Sequence, residues 1–154
     1  MCPADYARKS CSIDRTGIAG PTYPDADPLD PTLDEADFEI IFLEPIAERC
    51  PDFFETLCLL GNHYTAKGFY EKGLQMDLRL ARMAPNDPVV HYNLGCSYAL
   101  TERNDEALRT LDRAVDLGYD DLEHMTADAD LDNLRDDPRY QDLLRRIGLP
   151  GAMV

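Results

Sequence analysis

From residue 34 onward apolar residues return every three or four positions, the spacing of helices that bury one face. Asp34 stands at a capping position. Phe38, Ile41, Phe42, Pro45 and Ile46 form a stripe that predicts a helix over about 35–49. Pro45 lacks a backbone donor, so a kink is expected there, and Pro51 should follow the helix end. The next helix is expected over 52–66 with Leu57, Leu60, Gly61 and Tyr64 inward. Gly68 supplies a turn, and a partner over 69–83 points Tyr70, Gly73, Leu74, Leu80 and Ala81 inward. Asn86, Asp87 and Pro88 close that hairpin and begin another over 88–100 and 105–117. Its inward set is Leu94, Gly95, Tyr98, Ala107, Leu108, Leu111 and Ala114. Residues 1–32 carry Pro3, Pro21, Pro24, Pro28 and Pro31 among many aspartates and show neither period. A disordered or loosely docked arm is expected through residue 33.

The two hairpins are versions of each other. Leu60-Gly61 returns as Leu94-Gly95, Tyr64 as Tyr98, Leu74 as Leu108, and Pro51 as Pro85, always 34 residues on; Tyr119 continues the Pro51–Pro85 series. Gly61 and Gly95 lie inside helices, where glycine costs about 1 kcal/mol against alanine. A missing side chain lets the facing helix approach, and Gly73 and Ala107 are the small residues expected opposite.

This pattern resembles the tetratricopeptide repeat: a large residue, Leu-Gly, a Tyr three on, a small residue in the second helix and a closing Pro. The resemblance covers 52–119 as two repeats (52–85 and 86–119). It makes 34–50 a capping half repeat and 120–148 a degenerate third repeat, within a helical domain of 34–148. Asp128–Tyr140 resembles a bacterial ending in which an irregular stretch leads into a final helix. Asp137 would cap that helix, Pro138 would start it, and Tyr140, Leu143, Leu144 and Ile147 would point inward. The implied fold is all-α, an α-solenoid of antiparallel hairpins in a superhelix. His91 and Asp77 depart from the family pattern, standing where apolar or aromatic residues are usual.

Charge narrows the partner class. The chain carries a formal net charge of −15, yet residues 51–118 hold ten acids against seven bases, so most of the excess lies in the flanks. Such a balance repels nucleic acid and anionic lipid and attracts basic polypeptide. No run of eighteen apolar residues suggests a membrane span. The first residues lack the pattern of a secretory leader, so a cytoplasmic location is expected. Cys2, Cys11, Cys50, Cys58 and Cys96 contain no CxxC pair, and free thiols are expected.

No constellation for catalysis emerges. Asp128, Asp130 and Asp132 begin like a calcium loop. Asn133 then replaces the glycine and Arg139 the closing glutamate, so capping and solvation are expected instead. His63, His91 and His124 have no companion at metal-ligand spacing. Neither enzymatic activity, a metal nor another cofactor is expected.

What remains is a binding surface. In hairpin stacks of this family the first helices line the concave face. Helical phase places Glu55, Cys58, Asn62 and Thr65 there from the first repeat, and Val89, Tyr92, Asn93, Cys96 and Ala99 from the second. Asn62 and Asn93 match the asparagines with which some relatives clamp a terminal carboxylate. The cationic places hold Cys58, Glu123 and Thr126, so acidic tails are not the expected ligand. The expectation is an adaptor that holds a basic or apolar peptide or protein segment in its groove. The alternatives are a chaperone like the class II chaperones of type III secretion, or a structural homo-oligomer such as a homodimer.

Overall fold

The computed structural model describes residues 32–148. Among them the fold is all-helical, without a strand. The elements are α1 (Glu35–Arg49), α2 (Phe54–Ala66), α3 (Tyr70–Met83), α4 (Pro88–Leu100), α5 (Asn104–Asp116), α6 (Leu122–Ala127), a 3-10 helix (Ala129–Leu134) and α7 (Pro138–Gly148). The chain divides into two compact units, Met1–Met83 and Ala84–Val154. The expected arm lies almost wholly outside the described residues.

In the first unit α1 begins as its sequence dictates. The Asp34 carboxylate accepts from the Asp37 amide at 3.0 Å, and the Asp37 carboxylate accepts from the Asp34 amide at 3.2 Å, so two orphan donors are satisfied reciprocally. Lys67, just past α2, donates to Asp34 at 2.8 Å and to Asp37 at 2.9 Å, tying the end of α2 to the start of α1. That ammonium holds the Asp34 carboxyl below its ordinary range. Glu44 accepts from the Tyr64 hydroxyl at 2.5 Å and from Lys72 at 3.1 Å. Arg79 of α3 donates to the carbonyls of Ala47 (3.3 Å) and Pro51 (2.6 Å). Between these polar ties Ile40, Leu57, Leu60 and Leu74 are wholly buried.

The stripe expected to bury α1 is not the one that does. Asp37, Ile40, Leu43 and Ala47 face inward, while Phe38 and Phe42 are 54% and 63% exposed. Both stripes have helical spacing, and the inner one is shorter and partly polar. It prevails because Lys67 satisfies Asp37 and because Ala47 permits close packing. Tyr70, expected inward, is 40% exposed.

In the second unit Asp87 caps α4, accepting from the amides of Val89 (2.9 Å) and Val90 (3.2 Å), and Pro88 opens the helix. α4 packs along α5, and a core of Tyr92, Leu108, Leu111, Met125, Leu131 and Tyr140 joins them to the C-terminal elements. The buried Tyr140 hydroxyl donates to the Met125 carbonyl at 2.6 Å. Asp137 and Pro138 start α7 as expected, the Asp137 carboxylate accepting from the Arg139 amide at 2.8 Å.

The expected turn glycine, Gly68, has φ +78°, and 34 residues on the matching place holds Glu102 at φ 60°. A side chain pays there for a backbone that glycine adopts freely. Glu102→Gly is expected to stabilise the second unit by about 0.5–1 kcal/mol, the usual left-handed penalty less glycine's extra chain entropy. A rise in the urea midpoint checks it; a fall contradicts it.

Candidate partner-binding surface

The residues expected to line a groove separate into two groups. On α2 Glu55 and Asn62 are exposed on one stripe, Thr65 is half-buried at its edge, and Cys58 is only 8% exposed. Leu59, 46% exposed, sits between Glu55 and Asn62 on that stripe. Sequence reasoning passed over it because it stands in the apolar run Leu57–Leu60, yet its spacing of four from Glu55 and three from Asn62 was the available signal.

On α4 Val89 and Asn93 are half-buried, but Tyr92, Cys96 and Ala99 do not face an open groove. They are 2%, 7% and 1% exposed, because the chain's own C-terminal segment covers them. The Tyr92 hydroxyl donates to Asp128 Oδ2 at 2.7 Å, the Cys96 thiol lies 3.6 Å from the same oxygen, and Asn133 donates to the Ala99 carbonyl at 2.8 Å. Tyr92 stacks on Tyr119 with centroids 4.2 Å apart, and His124 tilts against it at 5.4 Å. Burial pushes the Cys96 thiol and the Tyr92 phenol well up, and neighbouring charge adds to it. Neither group ionises near neutral pH, so this cluster is a seal rather than a nucleophile site.

The other sequence candidates find structural work. Asp128 caps the 3-10 helix through the Asp130 amide at 3.0 Å, and Asp132 pairs with Arg135 at 2.6 Å. Burial, then the Asp128 charge, raises the Asp130 carboxyl above its ordinary value. His91 Nε2 lies 2.9 Å from the Pro85 carbonyl, and His63 Nε2 sits against the Glu39 carboxylate. Cys58 and Cys96 are free thiols as expected, whereas Cys50 is disulfide-bonded, against the expectation of a free thiol; Cys2 and Cys11 lie outside the described residues. Cysteine spacing alone gave no sign of it.

A groove of about 270 Å³ runs between α5 and α7, floored by Leu108 and Leu143 and rimmed by Arg109, Arg139 and Arg146. Two of those cations are committed. Arg139 pairs with Asp137 (2.8 Å) and Asp105 (2.9 Å), and Arg146 with Asp112 and with Asp116 (2.5 Å). The groove is an ion-pair seam that closes α7 on α5.

Exposed apolar surface is distributed unevenly. Among the described residues the large hydrophobic side chains left in solvent are Phe38, Phe42, Phe53, Leu59, Phe69 and Tyr70, all in the first unit. No described helix is long and apolar enough to cross a membrane.

No family model matches the chain, and no solved structure matches it. A stretch of 89 residues, 56% of this chain, is 27% identical to part of a chloroplastic protein from Arabidopsis thaliana. It spans 27% of that protein.

Proposed function

We propose that the chain is a non-catalytic protein–protein interaction module, a tetratricopeptide-like α-solenoid whose first unit carries the docking surface. The observation that carries this reading is that, among the described residues, the exposed large apolar side chains all lie within residues 38–70, while the candidate face of α4 is sealed. Exposed apolar residues gathered in one region are the mark of a contact surface. The 34-residue recurrence of helical hairpins supports the repeat assignment. Leu59 supplies an apolar anchor on α2 and Glu55 an acid beside it, a combination that suits an apolar segment flanked by lysine or arginine. Tyr92 belongs to the core, so it is not a residue with which to test the surface.

Selection of peptides from a random display library against the full chain tests the reading. Enriched sequences should carry apolar anchors next to basic residues. Leu59→Asp with Asn62→Ala should weaken their binding about tenfold or more, with an unchanged melting temperature, because both residues are exposed. No enrichment, or equal binding to the variant, overturns it.

A further inference from the structure

α1 has two apolar stripes and its unit uses one. The unused stripe, Glu35, Phe38, Phe42, Pro45 and Arg49, steps three, four, three and four residues, which keeps it on one side of the helix. All five residues are exposed. In the 34-residue register Phe42 takes the place of Met76. In α3 that place is covered: the Met76 Cβ lies 3.5 Å from where a side chain on Gly61 of α2 would begin. α1 therefore presents the face that α3 buries against a helix, still open.

We propose that a second copy of this chain covers it, the two α1 helices packing antiparallel about a two-fold axis beside Phe42. The charge pattern selects this occupant. Glu35 and Arg49 stand equally far before and after Phe42, so the two-fold sets Glu35 of each copy opposite Arg49 of the other and Phe42 against its own counterpart. Parallel pairing would set like charges together, Glu35 against Glu35 and Arg49 against Arg49. A face complementary to itself under rotation is what an isologous dimer requires. A helix of 15 residues, roughly 22 Å long, buries an area at the low end of specific interfaces, so the dimer exchanges with monomer at micromolar concentrations.

Sedimentation of the full chain with its Cys50 disulfide intact, from about 1 to about 200 µM, tests this without any peptide partner. The mass should rise from 17.4 kDa toward twice that value. Phe42→Asp should raise the dissociation constant about fiftyfold or more, with the helical spectrum and melting temperature unchanged, because a buried aromatic centre is replaced by facing charges. Glu35→Arg and Arg49→Glu should each weaken the dimer about tenfold, and the double exchange should return it to within about threefold of the parent. A monomer throughout the range overturns the proposal, as does a dimer indifferent to Phe42→Asp. So does a double exchange as weak as its parts, since only the antiparallel register pairs those two positions.

Discussion

Asp128→Ala is expected to destabilise the second unit by about 3 kcal/mol. Two losses add. The Tyr92 hydroxyl, in a residue 2% exposed, is left without its acceptor, and a buried donor without a partner costs about 1–3 kcal/mol. The 3-10 helix loses the cap on the Asp130 amide, worth roughly 0.5–2 kcal/mol. Asp128→Asn keeps an acceptor and should cost less than half as much. The double variant with Tyr92→Phe should fall short of additivity by about 1 kcal/mol, since both changes remove one bond. Urea unfolding followed by far-ultraviolet circular dichroism measures all three. Thiol labelling gives an independent readout. The Cys96 thiol is held protonated by burial and by the Asp128 charge, so loosening the 3-10 helix should speed its modification while Cys58 in the other unit keeps its rate. If Asp128→Ala unfolds like the parent and Cys96 stays protected, the seal over α4 is not held there.

That seal shows where local pattern stops. The position of α4, its cap at Asp87 and its inward residues Leu94 and Gly95 follow from period and capping chemistry, and the helices form where those rules put them. Helical phase also grouped Tyr92, Cys96 and Ala99 on one side of α4. What covers that side is a 3-10 helix some thirty residues downstream, and no periodicity within α4 encodes its arrival. The surface of α1 failed differently. The stripe expected to face inward, Phe38, Ile41, Phe42, Pro45 and Ile46, is the more hydrophobic, and amphipathicity alone chooses it, yet only its two isoleucines are even half-buried. The chain instead buries Asp37, because Lys67 approaches from another helix, and Ala47, which has little transfer energy of its own. Leu59 was legible by spacing and hidden by its neighbours, as an apolar residue inside an apolar run carries no phase of its own.

The two repeat glycines, alike in sequence, are expected to respond in opposite directions to the same substitution. Gly73 does lie against Gly61, where a side chain on it would begin 3.5 Å from the Gly61 carbonyl oxygen, but the side chains that a methyl group on each repeat glycine would meet are different ones. A side chain on Gly95 would begin 2.7 Å from Cγ and Cδ2 of Leu111, closer than carbon atoms approach, and Leu111 is wholly buried with nowhere to retreat. A side chain on Gly61 would begin 3.5 Å from the Met76 Cβ and 3.6 Å from Asp77 Oδ1, ordinary contact distances. Asp77 occupies in the first repeat the place of Leu111 in the second, so the unusual carboxylate there leaves the room that leucine fills. Gly61→Ala should gain most of alanine's helix preference, about 0.5–1 kcal/mol. Gly95→Ala gains the same preference but overpacks the α4–α5 contact, and the net should be a loss of about 1–2 kcal/mol. Leu111→Val should absorb much of that loss, so that the pair of changes costs less than the sum of its parts. The comparison separates a glycine required by close approach from one that only shares its motif. Equal and same-signed shifts in the two urea midpoints would mean that both contacts relax around a methyl group and that α4 and α5 are not locked where they meet.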